Sequence, residues 1–276
     1  MLFSLITNVK TIKADSINDY IISNKIQPAT TQYRQGTFNI WTPYRYGVGH
    51  PEGVVVHETS EANVNAEQFV ARFNAQWPTL QTYVHAFVDD TNVINIHSTD
   101  YAVWGAGPTA NSRYVQVELC RVNSYDAFAR SLANDANYIA SKLIQYNLPD
   151  VPGQTVLSHQ QTSGMWHETN HTDPVHYFDI WGYNMDQFND LISYYYNNQK
   201  TYGNIYGESK NVIRVKNNNA IYVPLVAFSG DGQMISLRDH GLANNSAWYT
   251  DQSKDYNGVT YHRVASNEWV AETYKI

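Results

Sequence analysis

An uninterrupted β-branched run at residues 54–56 (VVV) constrains the fold of this chain more than any other feature. It follows a turn signal at residues 51–53 (PEG) and shows no polar alternation, a pattern typical of a strand buried on both faces of a sheet. A sheet covered on both faces requires helices as its covering layers. The run therefore predicts an α/β domain, with His57 at the end of a central strand.

Strand and helix patterns alternate along the first 200 residues. Runs rich in β-formers predict strands, two of them paired as a hairpin across residues 89–92, and apolar residues at helical spacing predict helices. The expected fold class is α/β, a mixed β-sheet flanked by helices, with His57 and His159 after strands that share one rim. The predicted strands cover residues 82–88, 93–97, 114–120 and 155–157, and the predicted helices cover 66–76, 127–146 and 185–196.

Composition excludes several kinds of partner and site. The 276 residues contain no apolar run of about 18, so no membrane span is expected. The net charge of −7 at pH 7 argues against bulk electrostatic binding to nucleic acid or anionic lipid, since both require clustered Lys and Arg. A single cysteine, Cys120, excludes a disulfide framework and a Cys-rich zinc module. Any metal must therefore bind to His and carboxylate side chains.

Both the charge and the sequence pattern change near residue 205. Residues 1–200 carry the whole excess of negative charge, whereas residues 201–276 carry 7 acidic and 7 basic side chains. The stretch between them lacks apolar periodicity, which predicts a linker at residues 201–210. Beyond it, short strands separated by Asn, Gly and Asp turns predict a small all-β, SH3-like domain at residues 211–276.

Residues 1–34 are expected to form an N-terminal arm or the remnant of an export signal. Residues 1–14 hold a short apolar segment and end in Lys-Ala before Asp15, as a signal-peptidase site would, although a charged n-region is missing. The near absence of cysteine is compatible with the exterior of a Gram-positive cell. We therefore expect a secreted, cell-wall-associated protein.

Histidines after two predicted strands, together with one Pro-flanked segment, suggest a metal site. Pro174 disfavours helix at Asp173, so His171 and Asp173 can face one cleft from an extended or turning chain. A hydrolytic zinc site needs three His or carboxylate ligands and an open fourth position. His57, His159 and Asp173 would fill it. Spacing alone leaves the choice open, because the chain has 10 histidines and a solitary strand-end His is more often structural.

Six segments occur in the order and at the separations of a known family. They are VVVHET, YVHAFVDD, AVWGAG, SRYVQVELC, VLSHQ and HTDP. Over about residues 35–195 they resemble the zinc-dependent N-acetylmuramoyl-L-alanine amidases of the amidase-2 family, which are related to peptidoglycan recognition proteins and to the amidase modules of staphylococcal autolysins. The resemblance implies a catalytic domain at residues 35–200 that binds Zn²⁺.

The resemblance also implies roles for individual residues. His57, His159 and Asp173 match the family's metal ligands, and Glu118 in the central strand matches its general base. His171 follows the autolysin-type pattern, in which a His stands where other members have a Lys, and it could stabilise the oxyanion that forms when an amide is attacked. The alternatives are a solvent-facing carboxylate for Glu118 and a structural loop residue for His171.

Other side chains are weaker candidates for contact with substrate. Aromatic rings stack on the apolar faces of sugars, although an aromatic is as often part of a core. His85, His97 and Cys120 are expected to be structural. The candidate substrate-binding residues are Trp104, Trp166, His167, His176 and Tyr177.

The C-terminal run LANNSAWYTDQSKDYNGVTYHRVASNEWV resembles the wall-attachment modules of lactobacillal surface-layer proteins and autolysins, of the SLAP or bacterial SH3 type. It implies that residues 211–276 bind a cell-wall polymer. The alternative is a β-subdomain that only packs on the catalytic domain.

These observations predict a monomeric autolysin that cleaves the amide between N-acetylmuramic acid and L-alanine in peptidoglycan. Two alternatives remain open. One is a phage-type endolysin with the same chemistry, and the other is a non-catalytic peptidoglycan-binding protein, which would most simply lack a metal ligand.

Overall fold

The computed structural model describes residues 16–202, 212–250 and 252–276. The first range forms an α/β unit, and the other two form an all-β unit. The predicted export-signal remnant at residues 1–14 lies outside the described residues, as does most of the predicted linker; residues 201 and 202 belong to the last helix of the α/β unit. Across the described ranges, no helix combines the length and the apolar character needed to cross a membrane.

The α/β unit contains the predicted hairpin, helices and buried strands, with small differences at their ends. The second helix runs four residues beyond its predicted end and includes Pro78. It begins after Asn65, whose side-chain oxygen accepts a hydrogen bond from the backbone amide of Gln68. The helices are α1 Ile17–Ser23, α2 Ala66–Leu80, α3 Pro108–Asn111, α4 Tyr125–Gln145, α5 His159–Trp166, α6 Val175–Ile180 and α7 Met185–Tyr202, and the strands are β1 Thr31–Tyr33, β2 Thr42–Pro43, β3 Gly53–Glu58, β4 Ala86–Val88, β5 Val93–Asn95, β6 Tyr101–Ala102, β7 Tyr114–Leu119 and β8 Val156–Ser158.

The main sheet has six strands in the order β1-β5-β4-β7-β3-β8. Strands β4, β7, β3 and β8 are parallel to one another, β5 runs antiparallel to β4, and β1 is parallel to β5. The sheet is therefore mixed, which confirms the predicted fold class. Because the carboxyl ends of the four parallel strands lie at one edge, side chains that follow β3, β7 and β8 meet there.

Strand β3 is buried on both faces, as its composition predicted. Val54 and Val56 pack in the core formed with α4 and α7, whereas Val55 lies on the other face beside Leu157. All six residues of the strand are buried. Since burial of an aliphatic side chain stabilises a fold by about 1.5–3 kcal/mol, this strand anchors the sheet and fixes the position of the residue that follows it.

The α/β unit begins earlier than the boundary predicted at residue 35. Helix α1 packs Ile17 and Ile21 into the core beneath α4, and β1 pairs in parallel with β5 at the edge of the sheet. Residues 16–34 are thus part of the folded unit and not a detached arm. The sequence pattern did not predict the strand at residues 31–33, because β1 has only three residues and an edge strand needs little apolar alternation.

The C-terminal unit is all-β, as predicted, with its own core. Its strands are β9 Val212–Val215, β10 Tyr222–Phe228, β11 Met234–Ala243, β12 Ser246–Tyr249, β13 Ser253–Tyr256, β14 Val259–Ala265 and β15 Glu268–Ala271, followed by a 3-10 turn at Glu272–Tyr274. A five-stranded antiparallel sheet has the order β11-β10-β15-β14-β13, and β9 pairs with β12. Val215, Val223 and Val270 are fully buried at the centre of the unit.

Candidate metal centre

Two neighbouring parallel strands bring the first two candidate residues together. In the register of β3 and β7, His57 lies directly opposite Glu118. Neighbouring strands are about 4.8 Å apart and paired residues point to the same face, so the imidazole and the carboxyl share one side of the sheet. That side is opposite to α4, because Val56 and Val117 point towards the helix.

His159 lies directly after β8, at the first position of helix α5. The predicted strand at residues 155–157 is shifted to Val156–Ser158, and His159 is the first residue of α5. Ser158 caps this helix, and Gln161 completes a capping box by accepting from the Ser158 amide. The cap fixes the angle at which the chain leaves the sheet, and it leaves His159 buried beside His57.

Asp173 completes a cluster of three potential ligands. Its Oδ2 atom is 3.3 Å from His57 Nδ1, its Oδ1 atom is 3.2 Å from His159 Nδ1, and the two Nδ1 atoms are 3.0 Å apart. The backbone amide of Glu58 donates to Asp173 Oδ2 at 3.2 Å. One ligand atom from each residue lies within 4.8 Å of the others, and among the described residues this is the one such group of His, Cys, Asp or Glu.

A chain of hydrogen bonds determines which nitrogen of His57 faces the cluster. The backbone amides of Gly105 and Ala106 donate to Asn111 Oδ1, which also accepts from Gln116 Nε2 at 2.8 Å. Gln116 must then present its Oε1 to His57 Nε2, 2.9 Å away, so this ring nitrogen is the donor. In the neutral ring the lone pair therefore lies on Nδ1 and faces His159 and Asp173.

The donor set fits a zinc ion. Two imidazole nitrogens and one carboxylate oxygen are ligands that Zn²⁺ prefers, and three protein ligands are the number found in hydrolytic sites. An outer partner that fixes the tautomer of a ligating His is the usual support for such a site. Gln116 supplies it for His57, and Thr169 Oγ1, 3.1 Å from His159 Nε2, lies in the equivalent position for His159.

The electrostatics of the cluster favour a cation. Burial raises the pKa of Asp173, but hydrogen bonds from His159 and His57 outweigh it and hold the pKa well below its usual range. Burial lowers the pKa of His57, yet the contact with Asp173 and the charge of Glu118 raise it overall. The pKa of His159 is lowered, mainly by burial. The carboxylate of Asp173 is therefore ionised and buried beside the two imidazole rings.

Glu118 has the properties of an acid-base group. Burial, together with the charges of Asp173 and Glu58, raises its pKa to about 8, against the opposing effect of His57. Its Oε2 atom is buried and has no hydrogen-bond partner among the described residues. A carboxyl group that changes its charge near neutral pH is suited to accept and return a proton.

His171 lies at the open side of the cluster. Its ring stacks on that of His159, with centroids 4.4 Å apart and an interplanar angle of 9°, and its Nδ1 is 3.5 Å from Asp173 Oδ1. The side chain is 61% exposed, so its other nitrogen is available to a bound molecule. A cleft of about 190 Å³ opens here, with His171, His176 and Asp173 among its lining residues.

Two lining residues were missed by the sequence reasoning. Glu58, directly after His57, forms a bidentate ion pair with Arg121, whose Nη2 lies 2.9 Å from Glu58 Oε2. Arg121 also stacks over Tyr177 at 5.4 Å and lines the cleft. The sequence did hold a signal for Gln116. This residue precedes Glu118 by two positions, and strand alternation places both side chains on the same face of the sheet.

The five candidate substrate-binding residues are not brought together. His176 is exposed in the cleft wall. Tyr177 is 2% exposed and packs against Phe128, so it is a core residue and cannot line the groove. Trp104 packs edge-on against Phe38, and Trp166 packs near Tyr114. His167 is the exposed left-handed residue that ends α5. None of these last three is among the residues lining the described cleft.

The residues expected to be structural are buried. His85 and Cys120 have no exposed surface, and His97 is 1% exposed. Burial lowers the pKa of His85 to about 3, so this ring is neutral. Burial raises the pKa of the Cys120 thiol well above its usual range, which makes a thiolate nucleophile unfavourable.

Comparison with known proteins points to one family. The Amidase_2 family, described as N-acetylmuramoyl-L-alanine amidase, matches residues 47–176. This range includes His57, Glu118, His159, His171 and Asp173.

Curated relatives are longer than this chain. Protein Ami of Listeria monocytogenes is 37% identical over 257 residues, which cover 84% of this chain and 28% of Ami. The bifunctional autolysin of Staphylococcus epidermidis is 37% identical over 182 residues, which cover 64% of this chain and 14% of the autolysin. The match with Ami covers 84% of this chain, whereas residues 1–202 make up less than three quarters of it. The match therefore reaches into the C-terminal unit.

A solved structure is similar over nearly its whole length. The hydrolase AmiA of Staphylococcus aureus, determined in complex with its ligand, superimposes with a TM-score of 0.64 at 34% identity. The similarity covers 69% of this chain and 95% of the AmiA chain. The chain belongs to the Amidase_2 family of N-acetylmuramoyl-L-alanine amidases.

Proposed function

We propose that this chain is a zinc-dependent N-acetylmuramoyl-L-alanine amidase that acts on peptidoglycan. The observation that carries the proposal is the convergence of His57, His159 and Asp173, with ligand atoms within 4.8 Å of one another, beside the buried carboxyl of Glu118. A bifunctional autolysin and the hydrolase AmiA are among the relatives, which supports a hydrolytic role at the wall. The chain spans 28% of Ami and 14% of the autolysin, so it corresponds to a part of each.

His57 Nδ1, His159 Nδ1 and one carboxylate oxygen of Asp173 would hold the metal. When bound there, Zn²⁺ supplies a Lewis acid that polarises the scissile carbonyl, lowers the pKa of a water molecule and favours the ionised form of Glu118. Gln116 and Thr169 orient the two rings through their Nε2 atoms. The ligands are thus arranged in advance, which avoids reorganisation during the reaction.

We assign the proton and charge transfers of amide hydrolysis to two side chains, Glu118 and His171. Glu118 takes a proton from the attacking water on its unpartnered Oε2 and returns it to the leaving amine of L-alanine. His171, exposed at the rim and stacked on His159, donates a hydrogen bond to the oxyanion that develops on the lactyl carbonyl. His171 lines the cleft, and Glu118 lies beneath it, opposite His57 in the sheet.

The two alternatives differ in what they predict for the site. A phage-type endolysin would use the same residues, so the structure favours neither origin. A non-catalytic peptidoglycan-binding protein would most simply lack a ligand or the base, whereas His57, His159, Asp173 and Glu118 are all present. The presence of all four residues therefore supports an enzyme over a non-catalytic binding protein.

The all-β unit at residues 212–276 is proposed to bind a polymer of the cell wall. Its support is the resemblance of its sequence to wall-attachment modules and the extension of the match with Ami beyond residue 202. We further propose that the protein is secreted, associated with the wall and monomeric. The acidic net charge is compatible with a partner that is not nucleic acid.

A zymogram on purified walls tests the proposal, with His159→Ala as the informative variant. The parent protein should clear the walls, lose activity on chelation and regain it with Zn²⁺, and the variant should lose both activity and bound zinc. His50→Ala, at an exposed histidine of the same α/β unit outside the ligand set and the described cleft, is the matched control and should behave like the parent. Stoichiometric zinc or full activity in His159→Ala would contradict the ligand assignment.

A further inference from the structure

A second cleft lies at the opposite end of the sheet from the metal ligands. Strand β5 runs antiparallel to β4, so the residues that follow β5 lie near the amino ends of the parallel strands, away from His57. The cleft has a volume of about 500 Å³, and its lining includes Tyr33, Gln35, His97, Ser98, Lys142 and Gln145. None of these residues lines the cleft at the metal centre.

The floor of this cleft carries a buried cation. Lys142, on α4, is 1% exposed. Its Nζ donates to Gln145 Oε1 at 2.9 Å and lies 3.4 Å from the hydroxyl of Tyr33. The same atom lies 5.1 Å from the ring centroids of Tyr33 and Tyr138. Among the described residues, no carboxylate oxygen comes within 4.0 Å of it, so its close partners are all neutral.

A buried ammonium without an anion is an unfavourable arrangement for a folded protein. Burial lowers the pKa of Lys142 to about 8, and the more distant charge of Asp100 offsets only part of that effect. The carboxylate of Asp100 itself accepts a hydrogen bond from Tyr146. The other cation in the lining, Arg34, is neutralised by a bidentate ion pair with Glu67. Within the described part of the chain, Lys142 is therefore the charge in this cleft that remains without an ion-pair partner.

The wall of the cleft has further unfilled hydrogen-bonding capacity. An ammonium carries three protons, and two are used by Gln145 and Tyr33. His97 Nε2 is buried without a partner among the described residues, and burial lowers the pKa of that ring to about 4, so it is neutral. Gln35 and Ser98 add an amide and a hydroxyl to the lining, and the ring of Tyr33 is 69% exposed beside them.

We propose that this cleft binds an anionic saccharide, with its carboxylate on Lys142 and a sugar ring against Tyr33. Polar amide and hydroxyl groups beside an exposed aromatic ring match the hydroxyls and the apolar face of a sugar. The buried ammonium selects a saccharide that carries a carboxylate.

The proposed reaction produces such a group, and the inference rests on that proposed function. Water adds to the lactyl carbonyl, the carbon–nitrogen bond breaks, and the products are a carboxylate on the sugar and an ammonium on the peptide. The lactyl group is a neutral amide before the reaction and an anion after it. The second cleft would therefore recognise the glycan strand from which peptides have been removed, and hold the enzyme near the next intact stem.

Binding of N-acetylmuramic acid, which carries the free lactyl carboxylate, tests this directly by calorimetry on the full chain. His159→Ala is used as the background, because binding that persists there does not depend on the metal centre. Adding Lys142→Met, a neutral side chain of similar length, should weaken binding by about 10- to 100-fold. Two ligands lack the carboxylate: the methyl ester of N-acetylmuramic acid, and N-acetylglucosamine. Both should bind the His159→Ala protein as weakly as N-acetylmuramic acid binds the double variant.

A second measurement keeps the test decisive if Lys142→Met fails to fold. In the unmodified chain, the NMR resonance of the Lys142 side chain should shift on titration with N-acetylmuramic acid and not with its methyl ester. Lys142→Met, if folded, should hydrolyse a soluble muramoyl-peptide within about twofold of the parent rate, since Lys142 lies outside the metal centre.

The outcomes separate the two proposals. Equal binding of acid and ester, or unchanged affinity in Lys142→Met, would overturn the second site even if amidase activity is present. Absence of amidase activity with selective binding of the acid would overturn the proposed function and leave the site standing. A shift of the Lys142 resonance with glycerol 3-phosphate and not with N-acetylmuramic acid would assign the cleft to a phosphate polymer and contradict the saccharide carboxylate.

Discussion

Gln116 Oε1 accepts a hydrogen bond from His57 Nε2 at 2.9 Å, and this contact directs the other ring nitrogen of His57 towards His159 and Asp173. The amide of Gln116 cannot rotate to present its nitrogen instead, because its Nε2 donates to Asn111 Oδ1. Asn111 is fixed in turn by the backbone amides of Gly105 and Ala106. The orientation of His57 therefore depends on residues 105–111, which are not among the three candidate ligands.

The first prediction concerns this outer contact. Gln116→Leu should bind zinc about 10- to 100-fold more weakly, because the tautomer and orientation of His57 are no longer held. Competition with a chromogenic chelator measures the affinity. Gln32→Leu, which changes a glutamine at the edge of the same sheet, is the control and should leave zinc affinity unchanged. Equal zinc affinity in Gln116→Leu and the parent would show that the hydrogen bond does not position His57.

The second prediction separates the base from the metal. Glu118→Gln should keep one zinc per chain and lose roughly 10²–10⁴-fold in turnover, since the amide cannot take up the proton. Metal analysis and initial rates on a soluble muramoyl-peptide provide both readouts. Glu67→Gln, at a surface ion pair with Arg34, controls for the loss of one negative charge. Near-normal turnover in Glu118→Gln would show that another residue is the general base, and His171 would be the next candidate.

The third prediction uses a buried carboxyl outside the metal centre. Asp135, on α4, has no exposed surface, and neither of its oxygens has a hydrogen-bond partner among the described residues. Burial and the charge of Glu118 raise its pKa to about 8, against the effect of His57. Between the unfolded value near 3.9 and about 8, the folded chain keeps a proton that the unfolded chain has released. The stability of the folded state therefore falls as pH rises through this window.

Asp135→Asn should remove that dependence. Its free energy of unfolding relative to the parent should increase between pH 5 and pH 8 by up to about 1.4 kcal/mol per pH unit, as measured by denaturant unfolding. The cost of burying the Asn amide does not change with pH and cancels in the comparison. Asp179→Asn, on the exposed side of α6, controls for the substitution. A difference that stays constant from pH 5 to pH 8 would mean that Asp135 is ionised in the fold.

The fourth prediction divides the chain into its two units. Residues 1–205 should hydrolyse a soluble muramoyl-peptide about as fast as the full chain, because His57, Glu118, His159 and Asp173 all lie before residue 175. The same fragment should digest whole walls much more slowly if the C-terminal unit only raises the local concentration of enzyme. Equal impairment on both substrates would show that residues 212–276 support the fold of the α/β unit instead of binding the wall.

The convergence of His57, His159 and Asp173 was predictable in part, because these residues follow strong local signals. The Val run at residues 54–56 predicts a strand that ends at His57, and Pro174 marks the turn that carries Asp173. The choice among ten histidines came from the family resemblance, since spacing alone allows many triples. His159 was expected directly after a strand and follows β8, which is shifted by one residue from its predicted position; helix α5, which begins at His159 behind the Ser158 cap, was not predicted.

Other features depend on contacts between residues far apart in the chain, which no local pattern encodes. The edge strand β1 is stabilised by pairing with β5, about 60 residues later, and its own three residues carry little signal. Tyr177 was expected in the groove, and packing against Phe128 places it in the core. The second cleft depends on Lys142 meeting Tyr33 across more than 100 residues of sequence, so it could not be found from either segment alone.

The bond that is cleaved tests the central claim most directly. Purified peptidoglycan digested with the full chain should release new amino-terminal alanine, identified by end-group labelling and mass spectrometry, with no increase in reducing sugar ends. Chelation should abolish the alanine signal, and Zn²⁺ should restore it. New reducing ends without new amino-terminal alanine, or alanine release that is unaffected by chelation and by His159→Ala, would contradict a zinc-dependent muramoyl-alanine amidase.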